Sequence, residues 1–141
     1  MPRRFHNPAQ PLIIAHRGAS GLRPEHTLEA YELALRQSAD VIEPDLVPSA
    51  DGVLYARHEA GLARSTDIAS RTEFRDRQRD GDWRCDAFSS DELDTLRAIQ
   101  PSTGRPREFD GLFALPRWQA ILEWAALAAS RRDKPVILYP E

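Results

Sequence analysis

Four short apolar runs, each ending in or followed by charged or imidazole side chains, constrain the fold of this chain most strongly. They cover residues 12–15, 41–46, 53–57 and 135–138. Barrel and other α/β enzymes build their active sites in this way, at the C-terminal ends of their strands. The runs therefore predict an α/β fold with a functional site at one end of a sheet.

Helical patterns separate some of these runs. Thr27 is a suitable N-cap for a helix over residues 28–36. Ser89 and Glu92 have the spacing of a capping box, which predicts a short helix there. A third helix is predicted from Pro116, with an apolar stripe that consists of Trp118, Ile121, Leu122, Ala125 and Ala128.

The length of the chain limits how much of such a fold it can form. The 141 residues suit one domain, whereas a complete (β/α)8 barrel needs about 250. We expect an irregular N-terminal arm at 1–11 and an incomplete barrel, the N-terminal half of a TIM-type fold, at 12–141. Residues 64–115 resemble an insertion of loops and short helices, and the mixed charges of 71–84 predict a solvated surface rather than a binding surface.

Composition excludes several classes of function. The chain has 22 acidic residues against 19 lysines and arginines, so its net charge of −3 predicts no nucleic-acid binding. Cys85 is the single cysteine, which excludes an internal disulfide and favours a packing role. No transmembrane segment and no signal peptide is visible, which slightly favours a cytoplasmic location over a periplasmic or secreted one.

Three carboxylates at run ends are candidate metal ligands. Glu43 and Asp45 lie two residues apart on a predicted strand, which places both on one face about 7 Å apart. Glu141 follows the last run in the same relative place. Hard oxygen ligands of this kind suit Ca²⁺ or Mg²⁺, and the alternative is the solvent-facing side of an edge strand.

Imidazole and guanidinium groups stand beside these carboxylates in the predicted fold. His16 and His58 each close an apolar run and suit proton transfer near neutral pH, although a single such histidine is more often structural. Arg17 offers a planar fork for a phosphate oxygen. It could instead, or in addition, form an ion pair with Glu25 or Glu43.

Four motifs together resemble those of the glycerophosphodiester phosphodiesterases. They are HRG at 16–18, PEHT at 24–27, EPD at 43–45 and HEAGLARST at 58–66. The resemblance extends from about residue 12 to the end of the chain and is greatest to the branch with an insertion after the third strand. It implies a metal-dependent (β/α)8 barrel that hydrolyses glycerophosphodiesters to glycerol 3-phosphate and an alcohol.

The resemblance also implies a role for each motif residue. His16 and His58 would be the general acid and base, and Arg17 would hold the phosphate. Glu25 would line the site and support the metal or the substrate. The divalent cation, Ca²⁺ or Mg²⁺, would be bound by Glu43, Asp45 and Glu141. A glycerol hydroxyl would attack phosphorus, and water would then open the cyclic phosphate.

The sequence departs from the family pattern in three ways. Glu59 replaces the usual aspartate after His58, and His26 replaces the commoner asparagine, for which a mild effect is expected. The basic residue that follows the third carboxylate and the second half of the barrel are not in the sequence. Two alternatives therefore stay open: a truncated, inactive half-barrel that binds a cation or a partner and can self-associate, and a lysophospholipase D-type phosphodiesterase.

Overall fold

A computed structural model describes residues 11–132 and 134–141. The predicted N-terminal arm therefore lies, apart from Pro11, outside the described residues. The elements in chain order are β1 (Ile14–His16), α1 (Leu28–Arg36), β2 (Val41–Glu43), β3 (Leu46–Pro48), β4 (Leu54–Ala56), α2 (Ser90–Leu93), α3 (Trp118–Arg132) and β5 (Ile137–Leu138). Three short 3₁₀ helices, Asp67–Ser70, Thr72–Arg77 and Cys85–Ala87, lie between β4 and α2.

A parallel sheet of three short strands carries the candidate site. Its order is β1-β2-β5, with Ile14 beside Val41 and Val41 beside Ile137. The predicted parallel pairing of the first two runs is confirmed. All three strands point the same way, so their C-terminal ends meet at one edge of the sheet.

The third apolar run does not join this sheet. Pro44 follows β2, and the chain beyond it forms β3, which pairs antiparallel with β4. The turn between them contains Asp51 and Gly52, and Gly52 has a φ of 80°, a left-handed conformation that glycine adopts readily. The run at 135–138 is consequently the third strand of the parallel sheet, and the β3-β4 hairpin stands beside it.

Helices α1 and α3 pack near the sheet. The predicted range of α1 is confirmed, and Thr27 caps it by accepting a hydrogen bond from Ala30 N at 3.1 Å. Helix α3 begins at Trp118 rather than at Pro116. Its buried face contains Ile121, Ala125 and Ala128, whereas Leu122 from the predicted stripe is exposed because it lies about 100° around the helix from Ile121.

The segment after β4 builds a core of its own. Tyr55, Phe88 and Leu96 are fully buried in it together with Cys85, which confirms the packing role of the cysteine. The predicted capping box of α2 is present, with Ser89 and Glu92 each accepting from the other's backbone N–H. None of the helices within the described ranges combines the length and apolar character needed to cross a bilayer.

Candidate active site

The three predicted carboxylates converge at the C-terminal edge of the sheet. Glu43, Asp45 and Glu141 each offer an oxygen atom, and these atoms lie within 4.8 Å of one another. Glu43 ends β2, and Asp45 follows two residues later, after Pro44 has ended the strand. Three negative charges this close repel one another unless a cation or hydrogen-bond donors lie among them.

Backbone hydrogen bonds hold Glu141 in this cluster. Its N–H donates to Pro44 O at 3.0 Å, and its carbonyl accepts from Leu46 N at 2.9 Å. These bonds continue the pairing of β5 alongside the chain that links β2 to β3. The third carboxylate is thereby brought close to the first two, although it follows them by about a hundred residues.

Arg17 lies against the acidic cluster, and its buried Nε has no hydrogen-bond partner among the described residues. Its Nη1 donates to both carboxylate oxygens of Glu25, at 3.3 and 3.1 Å. Its Nε lies 3.8 Å from Asp45 Oδ2, too far for a hydrogen bond. In the part of the chain that the structure describes, Arg17 Nε is the buried side-chain nitrogen without a partner. A buried donor in this state is costly.

The turn that presents Arg17 is strained and closely packed. Arg17 and His26 have φ values of 64° and 55°, left-handed conformations that few residues other than glycine adopt. His26 N donates to Arg17 O at 3.1 Å, which ties the two together. A Cβ on Gly18 would lie 2.9 Å from the Ala30 carbonyl carbon, so only glycine fits there. Strain of this kind concentrates at functional sites.

His26 is a site residue to which the sequence assigned no direct role. Its Nε2 lies 3.0 Å from Asp45 Oδ2, and its Nδ1 lies 2.8 Å from the Tyr31 hydroxyl. Burial lowers the pKa of His26 to about 4, against the opposing effect of Asp45, so its ring is neutral at pH 7. Burial likewise raises the pKa of Tyr31 well above its usual value. The available sequence signal was Tyr31, which lies on the apolar face of the predicted helix, four residues after the PEHT motif.

The two predicted proton-transfer residues are exposed, and the backbone of each is connected to the strand or turn that carries a carboxylate. His16 ends β1, and its Nε2 lies 3.9 Å from Glu43 Oε1. His58 follows β4, and the preceding residue, Arg57, donates its N–H to Asp45 O at 2.8 Å. The side chains of His16 and His58 are 65% and 44% exposed, so both are accessible from solvent. Glu59, the departure from the family pattern, still reaches His58 Nδ1 at 3.6 Å.

A buried arginine shapes the loop that carries His58. Arg57 Nη2 donates to Gly61 O at 2.7 Å and to Ser65 Oγ at 3.0 Å. Asp82 holds the same loop from the other side by accepting from Leu62 N and Ala63 N. The position of His58 therefore depends on contacts with the segment that follows it.

Carboxylates and imidazoles at the C-terminal edge of a parallel sheet are the arrangement of a barrel-type enzyme. The profile of the glycerophosphoryl diester phosphodiesterase family matches residues 16–135, and the chain belongs to that family. Glycerophosphodiester phosphodiesterase GDPD6 of Arabidopsis thaliana is 37% identical over 142 residues, which cover 94% of this chain and 37% of that protein.

Solved structures show the same similarity. A glycerophosphodiester phosphodiesterase from Agrobacterium tumefaciens str. C58 is 33% identical with a TM-score of 0.68, over 93% of this chain and 47% of that one. A phosphodiesterase from Oleispira antarctica, solved in complex with the product sn-glycerol-3-phosphate, is 26% identical with a TM-score of 0.66, over 93% of this chain and 44% of that one. The chain thus spans less than half the length of these relatives.

Proposed function

We propose that the protein hydrolyses glycerophosphodiesters to glycerol 3-phosphate and an alcohol, with a divalent cation at the acidic cluster. Membership of the family supports this reaction class. The observation that carries the proposal is the convergence of Glu43, Asp45 and Glu141 beside the unpartnered Arg17 Nε. The product bound to the Oleispira enzyme indicates the substrate class.

The donor set of the cluster fits a hard cation. Glu43, Asp45 and Glu141 supply oxygen atoms only, which favours Ca²⁺ or Mg²⁺ over metals that prefer nitrogen or sulfur. When bound, the cation would polarise the phosphoryl oxygens and offset the negative charge that develops in the transition state. The cation would also remove the repulsion among the three carboxylates.

Arg17 is the proposed phosphate-binding residue. Glu25 holds its Nη1, which fixes the guanidinium plane and leaves Nε directed toward the acidic cluster. A phosphodiester oxygen would accept the Nε–H and satisfy this buried donor. Glu25 therefore lines the site and orients Arg17 through a charged hydrogen bond.

His16 and His58 are the proposed acid and base. One imidazole would take the proton from the attacking glycerol hydroxyl as its oxygen bonds to phosphorus. The other would give a proton to the oxygen of the departing alcohol as its bond to phosphorus breaks. Water would then open the resulting cyclic phosphate with the two roles exchanged. The exposure of both rings to solvent supports this proposal.

The test is the release of glycerol 3-phosphate from glycerophosphocholine and glycerophosphoethanolamine, with and without a chelator. We expect activity that the chelator abolishes and that added Ca²⁺ or Mg²⁺ restores. Glu43→Gln, Asp45→Asn and Glu141→Gln should each weaken cation binding, as measured by calorimetry. Glu29→Gln, an exposed position on α1, is the control for the loss of one negative charge.

A second readout does not depend on turnover. A ligand that binds only the folded state stabilises it by about 2.7 kcal/mol at one hundred times its Kd. We therefore expect Ca²⁺ or Mg²⁺ to raise the melting temperature of the wild type but not of Asp45→Asn. Release of choline from lysophosphatidylcholine, without turnover of glycerophosphocholine, would instead favour the lysophospholipase D-type alternative.

A non-catalytic, cation-binding half-barrel is the second candidate, and the exposure of the sheet edge favours it. Ile14 in the edge strand β1 is 50% exposed, and Ile13, which precedes the strand, is 57% exposed. Uncovered apolar edges favour association with another chain. A protein that binds the cation but releases no product from either substrate class would support this candidate over the enzyme.

A further inference from the structure

A buried chain of hydrogen bonds leads from helix α1 to the acidic cluster. The Tyr31 hydroxyl lies 2.8 Å from His26 Nδ1, and His26 Nε2 lies 3.0 Å from Asp45 Oδ2. Tyr31 is fully buried and His26 is 3% exposed, so water does not compete for these contacts. The edge of the Tyr31 ring also packs against the imidazole, with centroids 6.2 Å apart and planes at 79°.

The chemistry of the three groups sets the direction of both bonds. A carboxylate only accepts hydrogen bonds, so Nε2 must carry the proton that faces Asp45. Nδ1 of the neutral ring then has a lone pair and accepts the proton of the Tyr31 hydroxyl. The Asp45 carboxylate thus selects the Nε2–H tautomer, and the Tyr31 hydroxyl holds the ring at its other nitrogen.

We propose that His26 and Tyr31 are positioning residues that hold the Asp45 carboxylate in the orientation needed to bind a divalent cation. His26 occupies Oδ2, and the other carboxylate oxygen is left for the cation. This inference rests on the proposed function, because it gives Asp45 the role of a ligand there. Neither His26 nor Tyr31 touches the cation or the substrate in this arrangement.

Pro44 and Arg17, which are also neighbours of Asp45, do not fix its carboxylate by hydrogen bonds. Pro44 ends β2 before Asp45, so the ladder of β1-β2 hydrogen bonds does not extend to it. Arg17 Nε is 3.8 Å from the same Oδ2 and attracts the carboxylate without a hydrogen bond. His26 therefore makes the one direct side-chain hydrogen bond to Asp45 among the residues with described positions.

Substitutions at His26 can separate its two hydrogen bonds. An asparagine amide extends about as far as ring atom Nδ1 and would meet Tyr31, whereas a glutamine amide reaches the place of Nε2 and can still donate to Asp45. We expect His26→Ala and His26→Asn to raise the Kd for Ca²⁺ or Mg²⁺ about 10- to 100-fold. His26→Gln should stay close to the wild type. The exchange between histidine and the family's asparagine at position 26, for which the sequence predicted a mild effect, would thus have a large effect in this chain.

Tyr31→Phe tests the second bond, and Tyr55→Phe is its matched control. Both tyrosines are fully buried, and each substitution removes one hydroxyl group. The hydroxyl of Tyr55 makes its hydrogen bonds to Ser90 O and Asp94 Oδ1, in the core that follows β4. Tyr31→Phe should weaken cation binding, by less than His26→Ala does. Tyr55→Phe should lower stability without changing the Kd. Equal affinities in the wild type, His26→Asn and Tyr31→Phe would overturn the proposal.

Nitrogen NMR of the histidine rings, without any cation, separates this proposal from the proposed function. We expect His26 of the wild type to show the neutral tautomer with its proton on Nε2, and Tyr31→Phe to keep that tautomer because Asp45 still requires the proton. A proton on Nδ1 would overturn the positioning role whatever the cation does. A wild type that binds neither Ca²⁺ nor Mg²⁺ but shows the Nε2–H tautomer would contradict the proposed function and leave only the hydrogen-bonded support of Asp45 by His26 in place.

Discussion

The parallel-sheet region and the segment after β4 bury their apolar residues differently. The segment closes a core in which Tyr55, Leu62, Phe88 and Leu96 are fully buried. In the sheet region, Ile42 in the central strand is fully buried, while Ile14 in the edge strand is half exposed. The predicted catalytic groups belong mainly to the more open region.

The two regions contribute different properties: the closed core contributes stability, and the open sheet region carries most of the groups proposed for chemistry. The carboxylates, Arg17 and His16 stand on or next to short strands that bury few side chains. His58 alone stands where the two regions join, on a loop that Arg57 and Asp82 hold. We therefore expect substitutions in the sheet-end site to affect chemistry, and substitutions in the closed core to affect stability.

Loss of either exposed histidine should have the largest effect, and it should fall on turnover. We expect His16→Ala and His58→Ala to lower kcat about 100- to 10,000-fold, the usual contribution of general acid or base catalysis. The free energy of unfolding should change by only about 0.5 kcal/mol because both side chains are largely exposed. Steady-state kinetics and denaturant unfolding measure the two quantities, and unchanged turnover in both variants would contradict the assignment.

Truncation of a side chain in the closed core should have a nearly equal effect in free energy, but on the stability of the fold rather than on turnover. Phe88 is fully buried, packs edge-on against Phe74 with centroids 5.2 Å apart, and lies under the Arg77 guanidinium. Phe88→Ala should lower the free energy of unfolding by about 3–5 kcal/mol.

Ile14→Ala is the matched truncation in the open region. Half of that side chain is already exposed, so we expect a cost of about 1 kcal/mol. Denaturant unfolding of both variants measures the difference. Equal losses would show that the edge strand is covered in solution and would remove the distinction between the two regions.

The sequence predicted the open region better than the closed one. Helix α1 was predicted over its whole length because Thr27 and the apolar spacing are local signals. Glu43 and Glu141 lie close together because the parallel strands β2 and β5 end at the same edge of the sheet. Their positions at the ends of apolar runs were therefore sufficient to predict this proximity. The His26 to Asp45 contact was not anticipated, since it joins a turn to a strand end nineteen positions away.

The closed core could not be predicted in the same way. Apart from the predicted helix α2, its elements are 3₁₀ helices and loops, which are too short to show a period from which a buried face can be recognised. Its polar contacts are long-range, such as Tyr55 Oη to Asp94 Oδ1 at 2.7 Å and Gln100 Nε2 to Ser20 O at 3.2 Å. The mixed charges of 71–84 indicated solvent exposure but concealed Phe74 and Trp83, which are buried.

A change at the junction of the two regions should have an intermediate effect. A Cβ on Gly61 would lie 2.0 Å from Asp82 Oδ2, so Gly61→Ala must displace the carboxylate that accepts from Leu62 N, Ala63 N and Trp83 N. We expect a loss of about 1–3 kcal/mol, the cost of unsatisfied buried donors. Turnover should also fall, because the same loop carries His58.

A double-mutant cycle isolates that contact. In the Asp82→Ala background the clash is absent, so Gly61→Ala should cost much less there than in the wild type. Denaturant unfolding of the four proteins gives the coupling energy. Additive effects would show that the loop does not depend on Asp82 and that the closed region does not position His58.

A substitution at the open edge of the sheet should have the smallest effect on stability and should change self-association of the chain instead. Ile13 is 57% exposed beside the edge strand β1, and a lysine there opposes strand pairing between chains. We expect Ile13→Lys to change stability by about 0.5 kcal/mol and to shift a concentration-dependent dimer toward monomer in sedimentation velocity. Leu112→Lys, at a position 63% exposed in the other region, is the control that should leave association unchanged. A wild type that stays monomeric at every concentration would show that the exposed edge is not an association surface, and the contrast between the regions would then concern packing alone.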